Sequence, residues 1–525
     1  MNAVPMTSHT ASLDPSDNHA PIRFSDVFNV AVAFIDRHVA EGRGAKTALL
    51  VKDTAITYRE LAKNVARCGH ALKSLGLASQ DRVLMVSVDT PEFFYVFWGA
   101  IKAGFIPVPV STQMKATDYQ HLITDSGCKA AYCDCPNATE VLSAAQTCDM
   151  PTTHVLTNDT LGKMMQRLPT ELEPAATRPT DDCFFLYSSG STGKPKGVVH
   201  VHKDMVVTST RYGVGTLGLR EDDTVFCASK LFFSYGFGGG MTFPLWVGAT
   251  IAICDELPSA DMAYRMIETY RPTVYFGMPT LYRNQLLAAE TKSYDMSSIR
   301  MCPSAGEKLP ISVYEKWKEK FGISILDGIG SSEVLHVFIC NRHDDIKPGS
   351  SGRPVPGYEV KIVNERGEAL GPGEIGTLMV KGQSNARCYW NNPEKTASTM
   401  CGEWLNTGDV YSFDTDGYYT NAGRADDMMK VGGMWCSPLE IEEALLTHPK
   451  IREVAVIAQT DSDGLSKPAA FIVLRDPDDA NDDTTVELQK YCKGRLAGYK
   501  YPRWFTFLDE LPKTGTGKIQ RFRLR

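Results

Sequence analysis

No apolar run in the 525 residues approaches the roughly twenty needed to cross a bilayer as a helix. The N-terminal stretch has no basic region followed by an apolar segment, so a secretory leader is not expected. Basic residues form no stripe. A formal charge of −7 and a pI near 5.9 argue against a dedicated nucleic-acid binder. No internal repeat or low-complexity tract recurs. Among the 14 cysteines only Cys133 and Cys135 are close, and no second pair or histidine set completes a zinc site. Reduced, mostly buried thiols in a cytoplasmic protein are the expectation.

A 43% hydrophobic and 22% charged composition is ordinary for a globular protein, and the length calls for two or three domains. Residues 1–22 are polar and read as a disordered lead-in. From Phe24, helix and strand patterns alternate. TYRELAKNVARCGHALKSLG reads as an amphipathic helix and RVLMVSV as a buried strand. PEFFYVFWGAIKAG reads as a helix opened by Pro91, and FIPVPVS as another strand. Such alternation predicts mostly parallel sheets covered by helices. From about 348 to 419 short strands and turns predict an antiparallel sheet or small β-barrel-like part. The fold class is α/β: a large domain over 23–425, then a small α+β domain over 426–525.

The stretch YSSGSTGKPKGVVH (residues 187–200) organises the chain, and the apolar CFFLYS leads into it as a strand. Gly190, Gly193 and Gly197 let backbone N–H groups turn inward, where a side chain would block an anion. Ser188, Ser189, Ser191 and Thr192 add hydroxyl donors, and Lys194 and Lys196 add positive charge. A triphosphate suits this cradle. The common phosphate-loop pattern does not fit, because Pro195 follows Lys194 where a magnesium-binding hydroxyl would stand. A Ser/Gly linker is the bland alternative, disfavoured by the apolar strands on both sides. Two further Gly-rich turns, at 304–307 and 327–333, also follow buried strands. The three are expected to converge on one crevice.

Together YSSGSTGKPKG, LFFSYGFGGG, SAGE, DGIGSSE, WLNTGDV, GRADDMMKVGG and PKTGTGKIQR resemble the adenylate-forming superfamily in order and spacing, over nearly the whole chain from Phe24. GIGSSEVLHVF and the ending YKYPRWFTFLDELPKTGTGKIQRF resemble benzoate-CoA and hydroxybenzoate-CoA ligases most. The resemblance implies attack of a carboxylate on Mg·ATP, giving an acyl adenylate, then displacement of AMP by coenzyme A.

Attack of one anion on another needs positioned cations. By resemblance, Lys518 bridges the carboxylate and the α-phosphate, Thr192 assists in the phosphate loop, and Glu333 binds magnesium, which favours one or two carboxylates beside phosphate oxygens. Asp409 matches the ribose-binding carboxylate and Arg424 a second ribose or phosphate contact. Ala305, Gly306, Glu307, Asp327, Gly328 and Ser332 fall where the family holds the nucleotide. Asp426 matches a hinge, about which the small, mobile domain rotates between half-reactions. Lys430, Gly432 and Gly433 then line the coenzyme A tunnel, with Lys500 and Arg503 as candidate phosphate contacts.

The resemblance to benzoate ligases places Ser234, Tyr235, Phe243, Gly330, His336 and Val337 around an aromatic ring. Ser234 stands where those ligases carry alanine, so either it or His336 could read a hydroxyl or amino substituent. The expected partners are an aromatic acid, ATP, Mg2+ and coenzyme A, with neither nucleic acid nor membrane; a homodimer is left open. Transfer of the acyl group to a carrier protein, a cyclic or medium-chain acid, and a non-catalytic ligand-binding relative are the alternatives.

Overall fold

The computed structural model describes residues 7–14, 17, 19–134, 138–151, 154–189, 195–431, 434–462, 465–513 and 519–525. The chain divides into two compact units. One comprises Met1–Glu359 with Val380–Leu405, the other Val360–Met379 with Asn406–Arg525.

The larger unit carries two mostly parallel sheets. One has the order Ile106–Pro109, Arg82–Val86, Ala130–Cys133, Val155–Leu156, all parallel. The other runs Val274–Phe276, Thr224–Cys227, Thr250–Ala252, Thr47–Val51, with Thr54–Thr57 added antiparallel at its edge. Local signals set the helices between them. Thr57 caps Tyr58–Lys73, accepting from Glu60 N while the Glu60 carboxylate returns to Thr57 N at 2.8 Å. Leu61, Val65, Cys68 and Leu72 on this helix are buried along one stripe. Pro91 opens the helix Pro91–Ala103, and Gly104 in the left-handed region (φ 89°) ends it. That helix is buried nearly all round, with Phe97 edge-on to Phe184 and Phe237 in the core.

Beside these sheets, Asp182–Ser189 and Pro195–Val201 form an antiparallel hairpin, which Cys388–Tyr389 extends. Cys302–Ser304 runs parallel to Ile325–Gly330, and Val337–Cys340 returns antiparallel. Residues 1–22 depart in part from the disordered lead-in expected of their composition. Ala11–Ser12 pairs with Arg23–Phe24, and Ile22 N donates to Gln383 Oε1 at 2.8 Å. Backbone hydrogen bonds and the packing of Ala11 and Leu13 on the core supply what polar composition hides.

The smaller unit contains most of a sheet built from Glu359–Val363, Gly376–Lys381, Trp404–Phe413 and Tyr419–Arg424. It also holds an α+β module. In that module Ile451–Thr460 pairs antiparallel with Ser466–Leu474, Trp504–Phe507 adds in parallel, and the helices Pro438–Leu446 and Asp482–Lys493 contribute Ile441, Leu445 and Leu488 to the core. Among the described residues no helix is long and apolar enough to cross a membrane. The described cysteines form no disulfide.

Candidate active site

In the larger unit, the strands Asp182–Ser189, Cys302–Ser304 and Ile325–Gly330 bring predicted residues together. In the hairpin Lys196 stands opposite Ser188 and Gly197 opposite Tyr187. The hairpin is tied down by Tyr187 Oη, which donates to Asp125 Oδ2 at 2.6 Å. Gly190, Ser191, Thr192, Gly193 and Lys194 lie outside the described residues, and Ser189 is described only as the end of its strand.

Glu333 sits in the short turn Ser332–Val334 that follows Ile325–Gly330. Its Oε1 accepts from Tyr389 Oη at 2.8 Å and from Ser188 Oγ at 3.5 Å, and its backbone carbonyl accepts from Ala386 N at 2.7 Å. Among the described residues no cation pairs with this carboxylate. An oxygen-only surrounding with a carboxylate of unspent charge fits a hard cation such as magnesium.

Parallel pairing puts Ser304 opposite Asp327. The first strand ends there and turns at 305–307, whereas the second, expected to turn from 327, continues as strand to Gly330 because it pairs with Val337–Cys340, and turns only from 331. Burial pushes the Asp327 carboxyl up to about 8, while the Ser304 hydroxyl and the N–H groups of Gly328 and Leu309 pull the other way. Neither Asp327 Oδ1 nor Ser304 Oγ completes a well-formed hydrogen bond among the described residues. A buried, unspent acceptor beside a Gly-rich turn suits a ligand's N–H donor. Ala305 is buried, Gly306 has φ 94° with open space at its Cβ position, and Glu307 Oε2 accepts from Thr280 Oγ1 at 2.7 Å.

Tyr235, Phe243, Gly330, His336 and Val337 also meet in this unit. His336 is ringed by Phe243, Tyr212 and Tyr235, with centroids 4.5, 5.2 and 5.5 Å away. The run from Ser234 to Val247 stays helical despite Gly238, Gly239 and Gly240, because two of these make room for rings. A Cβ on Gly238 would lie 2.2 Å from His336 Cδ2, and one on Gly239 2.7 Å from Phe276 Cδ1. Gly330 pairs with Val337 and lies so close that a Cβ would sit 2.6 Å from His336 O. Burial pulls the His336 imidazole down to about 3, so the ring is neutral. Its Nε2 meets Tyr235 O at 3.2 Å, and a carbonyl only accepts, so the proton is on Nε2. Nδ1 is then a bare acceptor, and neither it nor the buried Tyr235 Oη has a partner among the described residues. Ser234 opens the helix Ser234–Phe237 and is half-buried.

In the smaller unit, Asp409 and Arg424 face each other across adjacent antiparallel strands, with Nη1 donating to Oδ1 at 3.0 Å. Asp426 is exposed, and its carbonyl accepts from Arg525 Nη2 at 3.0 Å. Lys430 lies in the strand Met429–Val431; Gly432, Gly433 and Lys518 lie outside the described residues. The flanks of the Lys518 loop come together, with Lys513 bridged to Ile519. Arg521 Nη2 then donates to both carboxylate oxygens of Glu442 at 2.8 Å. Lys500 is spent on Glu440, at 2.6 and 2.7 Å, which weakens its claim on a coenzyme A phosphate. Arg503 stacks on the Tyr501 ring at 3.5 Å.

Sequence reasoning passed over Tyr389, Tyr212 and Phe276, and also the buried ion pair of Lys230 with Asp89 (3.3 Å). Tyr389, Tyr212 and Phe276 stand in none of the motifs that carried the resemblance, whereas Lys230 opens KLFFSYG. Only Lys230 carried a signal of its own: a lysine at the edge of an apolar run needs a partner.

Models of two families match: AMP-binding enzyme over residues 36–390 and AMP-binding enzyme C-terminal domain over 440–518. Benzoate–CoA ligase of Thauera aromatica is 44% identical, covering 98% of this chain and 99% of its own length. A 4-hydroxybenzoate–CoA/benzoate–CoA ligase of Rhodopseudomonas palustris is 42% identical, covering 95% and 94%. Among solved structures, a benzoate CoA ligase from Burkholderia xenovorans LB400 superposes with a TM-score of 0.87 at 40% identity, over 95% of this chain and 100% of that one. An anthranilate CoA ligase in complex with anthranoyl-AMP gives 0.91 at 39% identity, over 96% and 97%. With both domains matched in order and relatives aligned end to end, this chain belongs to the AMP-binding enzyme family.

Proposed function

We propose that this protein is an AMP-forming aryl-CoA ligase acting on benzoate-type acids. The observation that carries the reading is the set of rings Tyr212, Tyr235 and Phe243 about His336, whose carbonyl backs onto Gly330, three residues before Glu333. Flat aromatic faces suit a planar ring, and the ring's carboxylate then lies toward Glu333. The names of the near relatives, benzoate–CoA and hydroxybenzoate–CoA ligase, support the same substrate class.

In the first half-reaction a carboxylate oxygen attacks the α-phosphorus of ATP, the bond to the β-phosphate oxygen breaks, and diphosphate leaves. Lys518 offsets the meeting of negative charges. Hydroxyls of the 188–192 segment, with Lys194 and Lys196, hold the departing phosphates. Glu333 and phosphate oxygens would hold Mg2+, which supplies charge neutralisation on the triphosphate. Asp327 accepts from the adenine, and Asp409 and Arg424 take the ribose side. In the second half-reaction the coenzyme A thiolate attacks the acyl carbon and AMP leaves with the bonding electrons; Gly432 and Gly433 serve this step. The cytoplasm, where both ATP and coenzyme A are supplied, is the expected location.

A polar ring substituent would find a bare acceptor at His336 Nδ1, which favours hydroxy- or aminobenzoate alongside benzoate. Diphosphate release with ATP and coenzyme A tests the reading across benzoate, its hydroxy, amino and fluoro derivatives, cyclohexanecarboxylate and medium-chain fatty acids. Aromatic acids should turn over best; turnover of fatty acids alone would overturn it.

A further inference from the structure

His200 lies near the end of the strand Pro195–Val201, fully buried and stacked on Phe184 with centroids 5.2 Å apart. Each ring nitrogen meets an oxygen: Nδ1 is 2.9 Å from Asp204 Oδ2, and Nε2 is 2.7 Å from Ser332 O. The carbonyl only accepts, so Nε2 carries a hydrogen and donates to it. On the other side one proton lies between the ring and Asp204, whose Oδ2 also accepts from Val201 N at 3.0 Å. Asp204 is fully buried on the helix His202–Thr208, which follows the strand directly.

This chain of bonds ends on the carbonyl of the peptide that joins Ser332 to Glu333. Around the same turn Ala386 N donates to Glu333 O, Tyr389 Oη to Glu333 Oε1, and Ser384 Oγ to Val334 O at 2.9 Å. His200 therefore ties the turn to the hairpin whose far end holds Ser188 and Lys196. An apolar side chain of similar volume would fill the space at lower desolvation cost, and would offer no directed donor to Ser332 O.

We propose that His200, oriented by Asp204, is a positioning residue for Glu333, holding that carboxylate at a set distance from the phosphate-binding hairpin. The inference rests on the reading of Glu333 as the magnesium-binding carboxylate. Phenylalanine at 200 keeps the stack on Phe184 and removes both hydrogen bonds. The double variant His200→Phe/Asp204→Leu also removes the buried charge that the single variant would orphan, and His200→Gln keeps an N–H near the Nε2 position.

Calorimetric binding of a non-hydrolysable α,β-methylene ATP analogue with Mg2+ reads the effect without turnover. The Kd should rise about tenfold in His200→Phe and in the double variant, as for loss of a group that orients a metal ligand. His200→Gln should recover most of this. Benzoate binding, and thioester formation from preformed benzoyl adenylate and coenzyme A, should not change. An unchanged Kd in the folded variants, or an equal loss of benzoate binding, would overturn the proposal. Glu333→Gln separates the two readings. If it weakens the Mg·analogue and the His200 variants do not, the positioning role alone fails; if it has no effect, the metal reading falls and takes the inference with it.

Discussion

Arg424 Nη1 donates to Asp409 Oδ1 across 3.0 Å, the two residues standing opposite each other on adjacent strands. The pairing orients the carboxylate while the Arg424 side chain stays half exposed, so acceptor and cation are presented as one unit. Asp409→Asn keeps the shape and loses charge and one acceptor. The KM for ATP should rise about ten- to a hundredfold, the range for a lost hydrogen bond to a charged group, with the KM for the acid unchanged. Steady-state kinetics with each substrate varied in turn checks the split.

Asp327 is held protonated up to about pH 8 by burial, against an ordinary value of 3.8. Between those values the folded protein keeps a proton that the unfolded chain has lost, so this group's contribution to stability falls as pH rises from about 4 to about 8. Asp327→Asn should therefore raise Tm more at about pH 8 than at about pH 5. A donor from adenine favours the ionised carboxylate. The wild-type KM for ATP should then fall as pH rises toward about 8, relative to an Asp327→Asn control in which this dependence is lost. Thermal melts and KM values across pH give both readings.

Lys230 and Asp89 are 7% and 6% exposed at their side chains. Asp89 Oδ1 also accepts from Leu231 N at 3.1 Å, three residues before Ser234. Lys230→Met leaves Asp89 buried without its cation, a change that costs about 3–5 kcal/mol. Denaturant unfolding should show that loss. The KM for the aryl acid should rise further than that for ATP, because the turn leading into the helix that carries Tyr235 loses its anchor.

His336→Phe retains a ring but removes the Nδ1 acceptor. The kcat/KM for hydroxy- or aminobenzoate should fall about tenfold relative to that for benzoate, as expected for one hydrogen bond. Equal losses on substituted and unsubstituted acids would show that the ring only fills space.

Lys518→Ala should suppress diphosphate release while leaving thioester formation from preformed aryl adenylate largely intact. A single-turnover assay of each half-reaction separates the two. Adenylate formation at the wild-type rate would sink the assigned role.

Much of the fold was legible because its signals are local. Thr57 and Glu60 announce a helix start, Pro91 and Gly104 bracket another, and the apolar runs leading to Ser188, Ser304 and Asp327 form the strands Asp182–Ser189, Cys302–Ser304 and Ile325–Gly330. The order of motifs carried the family assignment, and with it the proposal of a nucleotide site. Lys500 shows the limit of such reasoning. A basic residue in a plausible motif was a candidate phosphate contact, and the structure pairs it instead with Glu440, 60 residues away.

What the sequence by itself determined is therefore chemistry and order: which glycines, hydroxyls and carboxylates stand in which motif, and which helices and strands carry them. Only the tertiary structure decided which of them are spent and which are free to act. Tyr389 reaches Glu333, His200 reaches Ser332 from 132 residues away, and His336 finds Tyr235 O but leaves Nδ1 bare. These partners are separated along the chain and carry no local signature. They are set by how side chains fill a close-packed interior, where a polar atom must find whichever neighbour the packing brings within reach.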